Sequence, residues 1–191
     1  MKIVEIFKRE QLGDYLEINN YNGYGVEIGV QSGYFSEQIF SKWKSCKKFY
    51  MVDAWEHQNN EIYFDAANFS DDIHSNIYNE CKSRFKKFES DKYEMIKKYS
   101  VDASKAFEDD YFDFIYIDAN HSYESTLEDI MFWYPKLKKN GIISGHDYFD
   151  EPNIKFGVKS AVDLFFKEKN IYRTENDSPE NNNRWSWIVI K

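Results

Sequence analysis

The sequence predicts an α/β fold with a doubly wound, mostly parallel sheet. Short runs of β-branched and aromatic residues end on Gly, Asp or Asn, which is typical of buried strands. Segments with apolar residues near a 3.6-residue period lie between these runs and indicate amphipathic helices. Strands that alternate with helices form βαβ units, in which neighbouring strands are parallel and the crossover is right-handed.

Six runs are predicted as strands, namely 25–28, 49–52, 93–96, 112–117, 142–144 and 185–190. Four segments are predicted as helices, namely 34–45, 71–88, 122–138 and 157–169. The third helix should end just before Asn140 and Gly141, a pair that suits a helix C-cap. Residues 55–70 and 175–184 have no clear period and are predicted as loops. The first of these loops is either a lid over a bound ligand or a plain surface loop.

The composition indicates one globular domain and excludes several classes of function. The chain has 191 residues, and its 25 Lys and Arg against 33 Asp and Glu give a net charge of -8. Broad nucleic-acid surfaces and polybasic membrane contacts need clustered cations, so neither is expected. No apolar run approaches the roughly 18 residues that a membrane-spanning helix requires. Cys46 and Cys81 lack metal-type spacing, which indicates free thiols and a cytoplasmic protein.

A glycine-containing turn follows the first predicted strand. Gly25, Gly29 and Gly33 are four residues apart, whereas a dinucleotide fingerprint has glycines two and then three apart. Gly29 allows a sharp turn and close approach of a ligand, although a tight turn without a ligand would use the same residues. Asp53 ends the next strand, where a carboxylate can accept hydrogen bonds from two ribose hydroxyls. The pattern favours a ligand with a ribose over a pyrophosphate, and replacing Asp53 should weaken its binding while leaving the fold intact.

Polar residues also follow the fourth and fifth predicted strands. Asp118 ends one strand and His121 lies three residues later, while His146 and Asp147 end the next strand. If the two strands are neighbours, Asp118, His146 and Asp147 converge at one edge of the sheet. Two carboxylates and an imidazole could hold Mg²⁺, Mn²⁺ or Fe²⁺. The same residues could instead be helix caps, and Asp118 could contact a cofactor rather than a metal.

These motifs resemble those of the class I S-adenosylmethionine-dependent methyltransferases. Glu27-x-Gly29-x-x-x-Gly33 resembles the first motif of that family, and Asp53 resembles its ribose-binding acid. The resemblance implies cofactor contacts from Glu27, Gly29, Ser32, Gly33, Asp53, Trp55, Asp102, Ala103 and Asp118. It places Asp102 and Ala103 beside the adenine, and Trp55, two residues past Asp53, near the adenosine.

The resemblance also implies a complete domain architecture. Residues 1–191 would form a single domain with a Rossmann-like, seven-stranded, mostly parallel sheet and helices on both faces. Residues 1–24 would cover the cofactor, as the first helix of the family does. S-adenosylmethionine would be the cofactor, and a homo-oligomer is one way in which a small domain could complete its acceptor site.

Within that family, the stretch 117–148 resembles the macrocin-type sugar O-methyltransferases and their small relatives. In that group, acids at the ends of the fourth and fifth strands hold Mg²⁺ beside the acceptor hydroxyl, and Asp118 and Asp147 match them. His146 stands where the group usually has an acid. Some members have a catalytic base three residues after the first metal acid, and His121 matches that position.

The predicted activity is therefore metal-assisted O-methylation of a small hydroxylated molecule such as a sugar. His121 would be the base, Asp118 would share the catalytic site, and Asp118, His146 and Asp147 would hold the divalent cation. The alternative is an S-adenosylmethionine-binding module that acts through a partner protein, and an oxidoreductase is disfavoured by the missing dinucleotide fingerprint. His57 and His74 have polar sequence neighbours and are predicted to be solvated.

Overall fold

The computed structural model describes residues 2–61, 63, 65–175, 177 and 184–191. Residues 181–183 and parts of both predicted loops lie outside the described residues. The strands are β1 (Tyr24–Ile28), β2 (Lys48–Asp53), β3 (Tyr93–Lys97), β4 (Phe112–Ile117), β5 (Leu137–Gly145), β6 (Asp150–Glu151), β7 (Phe156–Gly157), β8 (Tyr172–Arg173) and β9 (Trp187–Ile190). The α-helices are α1 (Leu12–Ile18), α2 (Tyr34–Lys42), α3 (Asp71–Phe85), α4 (Ser100–Ser104), α5 (Tyr123–Trp133) and α6 (Val158–Phe165).

Seven of the strands form one sheet in the order β3-β2-β1-β4-β5-β9-β8. The first five are parallel, whereas β9 runs antiparallel to both β5 and β8. The chain reaches β2 and β3 on one side of β1 and β4 and β5 on the other. This reversal makes the carboxyl ends of β1 and β4 the natural place for a ligand crevice. The predicted mostly parallel, seven-stranded sheet is confirmed.

Helices cover both faces of the sheet because successive strand residues point to opposite sides. Phe49 and Met51 pack with α1, α2 and α3 on one face. Tyr50 and Val52, which alternate with them along β2, pack with α4, α5 and α6 on the other. Each face therefore has its own apolar core, as a doubly wound sheet requires. No helix among the described residues is long and apolar enough to cross a membrane.

The predicted end of the third helix is wrong. The helix α5 ends at Trp133, a short 3-10 helix follows at Tyr134–Lys136, and β5 already begins at Leu137. Pro135 cannot continue the helical hydrogen bonding, which explains the earlier end. Leu137 pairs with Phe112, and the pairing resumes only between Ile142 and Phe114, so the segment around Asn140 and Gly141 bulges from the strand instead of capping a helix.

Candidate active site

A cavity of about 960 Å³ opens at the point where the strand order reverses. Its volume is in the range of pockets that enclose cofactors and drug-sized ligands. Ile28 pairs with Val52 on one side and with Ile117 on the other, so Asp53 and Asp118 leave the sheet at the same level. The predicted site residues that line the cavity are Glu27, Gly29, Ser32, Asp53, Asp118, His121, His146 and Asp147.

The glycine turn between β1 and α2 needs its glycines for different reasons. Gly29 has a φ of 86°, and a Cβ atom there would lie 1.9 Å from the backbone oxygen of Asp118. Gly33 has a φ of 75°, and a Cβ atom there would lie 2.6 Å from Sγ of Cys81 on α3. Gly29 therefore permits the close approach of the loops after β1 and β4. Gly33 permits the packing of α3 against the start of α2.

Asp53 anchors the glycine turn as well as lining the cavity. Its Oδ2 accepts hydrogen bonds from the backbone N–H groups of Val30 and Gln31, both at 2.9 Å. Its Oδ1 accepts a third bond from the backbone N–H of Trp55 at 2.7 Å. Each carboxylate oxygen has about two acceptor positions, so Oδ1 can still accept from a ligand. The structure gives Asp53 a supporting role that the sequence pattern did not indicate.

Glu27 is almost completely buried at the base of the cavity. Burial raises its pKa to about 8, although the hydrogen bond from the Ser36 hydroxyl opposes this change. Glu27 is therefore mostly protonated at neutral pH. Its contact with Ser36 ties β1 to the first turn of α2, directly below the glycine turn.

Four residues predicted to contact a cofactor do not line this cavity, and one of them is Gly33 of the glycine turn. Trp55 is buried, and its indole N–H donates to the backbone oxygen of Gln31 at 2.9 Å. Ala103 is buried in the core. Asp102 is exposed, pairs with Lys105 at 2.7 Å and lines a neighbouring hollow. On α4, the cavity is lined instead by Ser100 and Val101.

Asp118, His121 and Asp147 form a compact cluster at the other end of the cavity. One ligand atom from each lies within 4.8 Å of the others, a geometry that could hold a metal ion. Nε2 of His121 lies 3.4 Å from Oδ1 of Asp118 and 3.3 Å from Oδ2 of Asp147. His146, the predicted third ligand, is not in this cluster. Its Nδ1 lies 3.3 Å from the opposite oxygen of Asp147.

Asp147 is held in an unusual conformation. Its φ of 52° lies in the left-handed region, which is uncommon for a residue other than glycine. Its side chain is 8% exposed, and Oδ1 has no hydrogen-bond partner among the described residues. This oxygen lies 3.3 Å from Nδ1 of His146 but accepts no hydrogen bond from the described part of the chain, and buried oxygens left in this way recur where a ligand or ion completes the site. The carboxylates of Asp118 and Asp147 therefore fit a divalent cation, with Nε2 of His121 beside them.

The charges in the cluster favour proton retention by the histidine. Burial alone would lower the pKa of His121, but its contacts with Asp118, Asp65 and Asp147 raise the pKa to about 10. Burial would raise the pKa of Asp118, but the hydrogen bond from His121 and the charge of Arg9 help to lower it to about 2. Without a metal, an imidazolium therefore lies between two carboxylates at neutral pH.

His121 is held by three further contacts that the sequence did not reveal. Its Nδ1 is hydrogen-bonded to Oδ2 of Asp65, a residue of the loop after β2. Its ring stacks on Phe156 with a centroid distance of 4.7 Å, and Phe156 stacks on Phe149 at 4.3 Å. The backbone N–H of Gly157 also donates to the backbone oxygen of His121 at 2.9 Å. The β6–β7 hairpin and the loop after β2 therefore fix the imidazole from opposite sides.

The prediction that two histidines are solvated is wrong for one of them. His57 is exposed, as predicted, and its ring contacts the backbone oxygen of Phe69. His74 is 9% exposed rather than solvated, lines the cavity and has no partner for Nε2 among the described residues. The cause is tertiary packing, because α3 turns His74 inward beside Phe69. The polar residues next to His74 in the sequence therefore did not predict its burial.

Arg9 and Asp129 are two further cavity residues without a sequence signal. Arg9 reaches the cavity from the 3-10 helix Arg9–Gln11, and its Nη1 lies 3.2 Å from Oδ2 of Asp118. Asp129 is buried on α5, and burial raises its pKa to about 7 against a hydrogen bond with Ser100. Neither residue belongs to a motif or ends a strand, so only the folded structure places it here.

Solved structures with similar folds span nearly the whole chain. A protein from Corynebacterium glutamicum is 12% identical with a TM-score of 0.67 and covers 95% of this chain and 79% of its own. A Staphylococcus aureus protein assigned as a caffeoyl-CoA O-methyltransferase is 13% identical with a TM-score of 0.67, covering 96% and 82%. A Streptococcus mutans protein assigned as a methyltransferase, in complex with SAH, is 11% identical with a TM-score of 0.62, covering 99% and 93%. At these identities the likeness shows the fold.

The sequence itself provides the evidence for family membership. A comparison with curated protein sequences finds no match. The profile of the methyltransferase domain family matches residues 26–148, which is more than half of the chain. The matched region begins within β1 and ends just after Asp147, so it contains the glycine turn, Asp53 and the Asp118–His121–Asp147 cluster. The chain belongs to the methyltransferase domain family.

Proposed function

We propose that this protein is an S-adenosylmethionine-dependent O-methyltransferase that acts on a small hydroxylated molecule with the help of a divalent cation. The observation that carries the proposal is the position of the Asp118–His121–Asp147 cluster in the same cavity as the glycine turn and Asp53. One end of the cavity then suits the cofactor, and the other end suits the acceptor. The macrocin-type relationship and a cytoplasmic location belong to the same proposal.

The cofactor end is supported by the hydrogen-bonding groups that remain available there. Oδ1 of Asp53 can accept a bond from a ribose hydroxyl in addition to the one from Trp55. Gly29 lies so close to the backbone of Asp118 that the turn presents no side chain at this point of the cavity wall. Bound S-adenosylmethionine would supply a methyl group that its sulfonium already activates, so the protein mainly aligns the acceptor oxygen with it.

The acceptor end is supported by Oδ1 of Asp147, which accepts no hydrogen bond among the described residues, and by the charge of the cluster. Asp118 and Asp147 would hold the cation, which supplies positive charge that lowers the pKa of a hydroxyl beside it. His121 lies within 3.4 Å of both carboxylates and would accept the hydroxyl proton. Its pKa of about 10 comes partly from those carboxylates. His121 therefore becomes a free base only when the charges of Asp118 and Asp147 are neutralised.

The residues around the cluster would bind the acceptor. His121 stacks on Phe156 of the hairpin, and Arg184 reaches to 3.9 Å from Asp147 on the far side. Asp65, in the loop after β2, also contacts His121, and this contact favours the interpretation of residues 55–70 as a lid. The net charge of -8 favours a small acceptor over a nucleic acid. A small molecule is therefore the proposed partner.

The test is a tritiated-methyl transfer screen over sugars and other hydroxylated metabolites, run with and without EDTA. We expect transfer to at least one acceptor, loss of transfer in EDTA, and recovery when Mg²⁺ or Mn²⁺ is added in excess. Binding of Mn²⁺, followed by electron paramagnetic resonance, should weaken at least tenfold in Asp147→Asn, because one ligand loses its charge. Asp91→Asn, an exposed acid, is the matched control.

Three outcomes separate the alternatives. Transfer that survives both EDTA and Asp147→Asn would retain the methyltransferase and remove the metal from its mechanism. Binding of S-adenosylhomocysteine without transfer to any acceptor would support a binding module that acts through a partner protein. Absence of binding to either S-adenosylmethionine or S-adenosylhomocysteine would overturn the proposal.

A further inference from the structure

We propose that Arg9 binds the carboxylate of the cofactor's amino-acid tail, so that the site selects the complete tail over a decarboxylated one. The inference rests on the proposed function, since it concerns the tail of S-adenosylmethionine. It assigns a specificity-determining role to a residue of the N-terminal segment, outside the region 26–148 that matches the family profile.

The backbone of Arg9 is fixed by contacts with the C-terminal part of the chain. Its N–H donates to Oδ1 of Asp177 at 2.7 Å, and Oδ2 of Asp177 accepts from the backbone N–H of Ser186 at 2.7 Å. Two residues earlier, the backbone oxygen of Phe7 accepts from Glu175 at 3.1 Å. The segment is therefore tied down at two points, and Arg9 does not depend on its own side-chain contacts for its position.

The guanidinium of Arg9 has more donors than the described part of the chain uses. It lies 4.8 Å above the ring of Phe35, and its side chain is 22% exposed at the cavity wall. A guanidinium has five N–H donors in a planar fork. Among the described residues, its hydrogen-bond partners are Asp118 and Tyr116. Donors therefore remain available, and a planar fork matches a carboxylate better than any other basic group.

The charges nearby explain why the tail would need Arg9. An amino-acid tail carries both an ammonium and a carboxylate, so its site needs both signs of charge. The carboxylate of Asp118 lies 3.2 Å from Arg9 at the cavity wall, and it suits the ammonium. Besides His121, which lies between Asp118 and Asp147, the basic side chains that line the cavity among the described residues are Lys98 and Arg184. Lys98 follows β3 and donates its backbone N–H to the backbone oxygen of Asp53, and Arg184 lies beside Asp147, so neither adjoins the pair of Arg9 and Asp118.

The experiment compares three ligands that share an adenosine thioether. S-adenosylhomocysteine has the whole tail, S-adenosyl-3-thiopropylamine lacks only the carboxylate, and 5′-methylthioadenosine lacks both charges. Calorimetry in EDTA would measure their affinities for the wild-type chain and for Arg9→Met, which keeps an apolar stem over Phe35. Lys8→Met is the matched control, because it removes one positive charge from the adjacent exposed position.

We expect Arg9→Met to weaken the binding of S-adenosylhomocysteine by a factor of about 10 to 100, which is the range for loss of charge-assisted hydrogen bonds. The affinity for 5′-methylthioadenosine should stay within about twofold. The affinity for S-adenosyl-3-thiopropylamine should stay equal or increase, because removing a cation favours the ligand's ammonium. Lys8→Met should change none of the three affinities by more than about twofold.

Equal weakening of all three ligands in Arg9→Met would show a structural role and overturn the inference. Equal affinity of the wild-type chain for the carboxylated and decarboxylated ligands would also overturn it. Either result would leave the proposed function intact, because the adenosine compounds would still bind. Failure of all three ligands to bind the wild-type chain would instead overturn the proposed function.

Discussion

Replacing Asp53 with alanine should destabilise the fold as well as weaken cofactor binding. The carboxylate of Asp53 accepts backbone hydrogen bonds from Val30, Gln31 and Trp55. Val30 and Trp55 are buried, whereas Gln31 is exposed and its N–H can turn to water. In Asp53→Ala, the part-buried N–H groups of Val30 and Trp55 would lose their carboxylate acceptor, and the glycine turn would lose its side-chain hydrogen bonds from Asp53.

The magnitude follows from the number of buried donors. A hydrogen bond to a charged group contributes about 1.5–3 kcal/mol, so two give about 3–6 kcal/mol. Water can enter from the cavity and replace part of this, which leaves an expected loss of about 2–4 kcal/mol in the free energy of unfolding. Because small domains have about 5–15 kcal/mol of stability in total, the change should be readily visible.

Urea unfolding at 25 °C, followed by circular dichroism, measures this loss. Asp53→Asn keeps one acceptor oxygen and should fall between the wild type and Asp53→Ala. Asp102→Ala is the control, since Asp102 is exposed and lies outside the cavity, and it should change stability little. If Asp53→Ala were no less stable than Asp102→Ala, the anchoring role would be refuted, and a loss of cofactor affinity would then report the ribose contact alone.

Three further outcomes follow from the site. Gly29→Ala should lower the free energy of unfolding by about 3 kcal/mol or more, because its Cβ atom would lie 1.9 Å from the Asp118 backbone oxygen. The melting temperature should fall accordingly, and an unchanged melting curve would contradict this. In EDTA, protonated His121 should stabilise the fold fully below about pH 6.5, and this stabilisation should be lost as the pH rises towards 10. His121→Asn should therefore remove the corresponding fall in the free energy of unfolding with pH. Asp65→Asn should lower the pKa of His121, because one carboxylate contact is lost. Proton NMR of the imidazole would detect this as a titration midpoint at lower pH.

The cavity positions that could be predicted from the sequence are those of residues that end strands. Asp53 and Asp118 follow apolar runs, and parallel strands bring their carboxyl ends to one edge, so topology alone places both carboxylates in one cavity. Gly29 was predictable for the same reason. His121 was predictable as a candidate base, because it lies one turn beyond Asp118, but its place within the metal-type cluster depends on the direction of its ring.

The residues that sequence reasoning missed reach the site through tertiary packing. Asp65 lies in an aperiodic loop and Arg9 in a short 3-10 helix, and neither position has a spacing that relates it to a strand end. His74 has polar sequence neighbours yet is buried by the orientation of α3. Periodicity reports the face of an element, whereas contacts between loops depend on the three-dimensional path of each loop.

The stack of His121, Phe156 and Phe149 connects the proposed base to the hairpin that borders the proposed acceptor site. The β6–β7 hairpin is short and its turn at 152–155 is exposed, a position where changes of acceptor preference would ordinarily evolve by loop exchange. Here the same hairpin supports the imidazole plane, so a sequence change that adapts it to a new acceptor also reorients the proposed base. Diversification of this enzyme should therefore proceed through the loop after β2 and the C-terminal loop, with the aromatic pair of the hairpin kept.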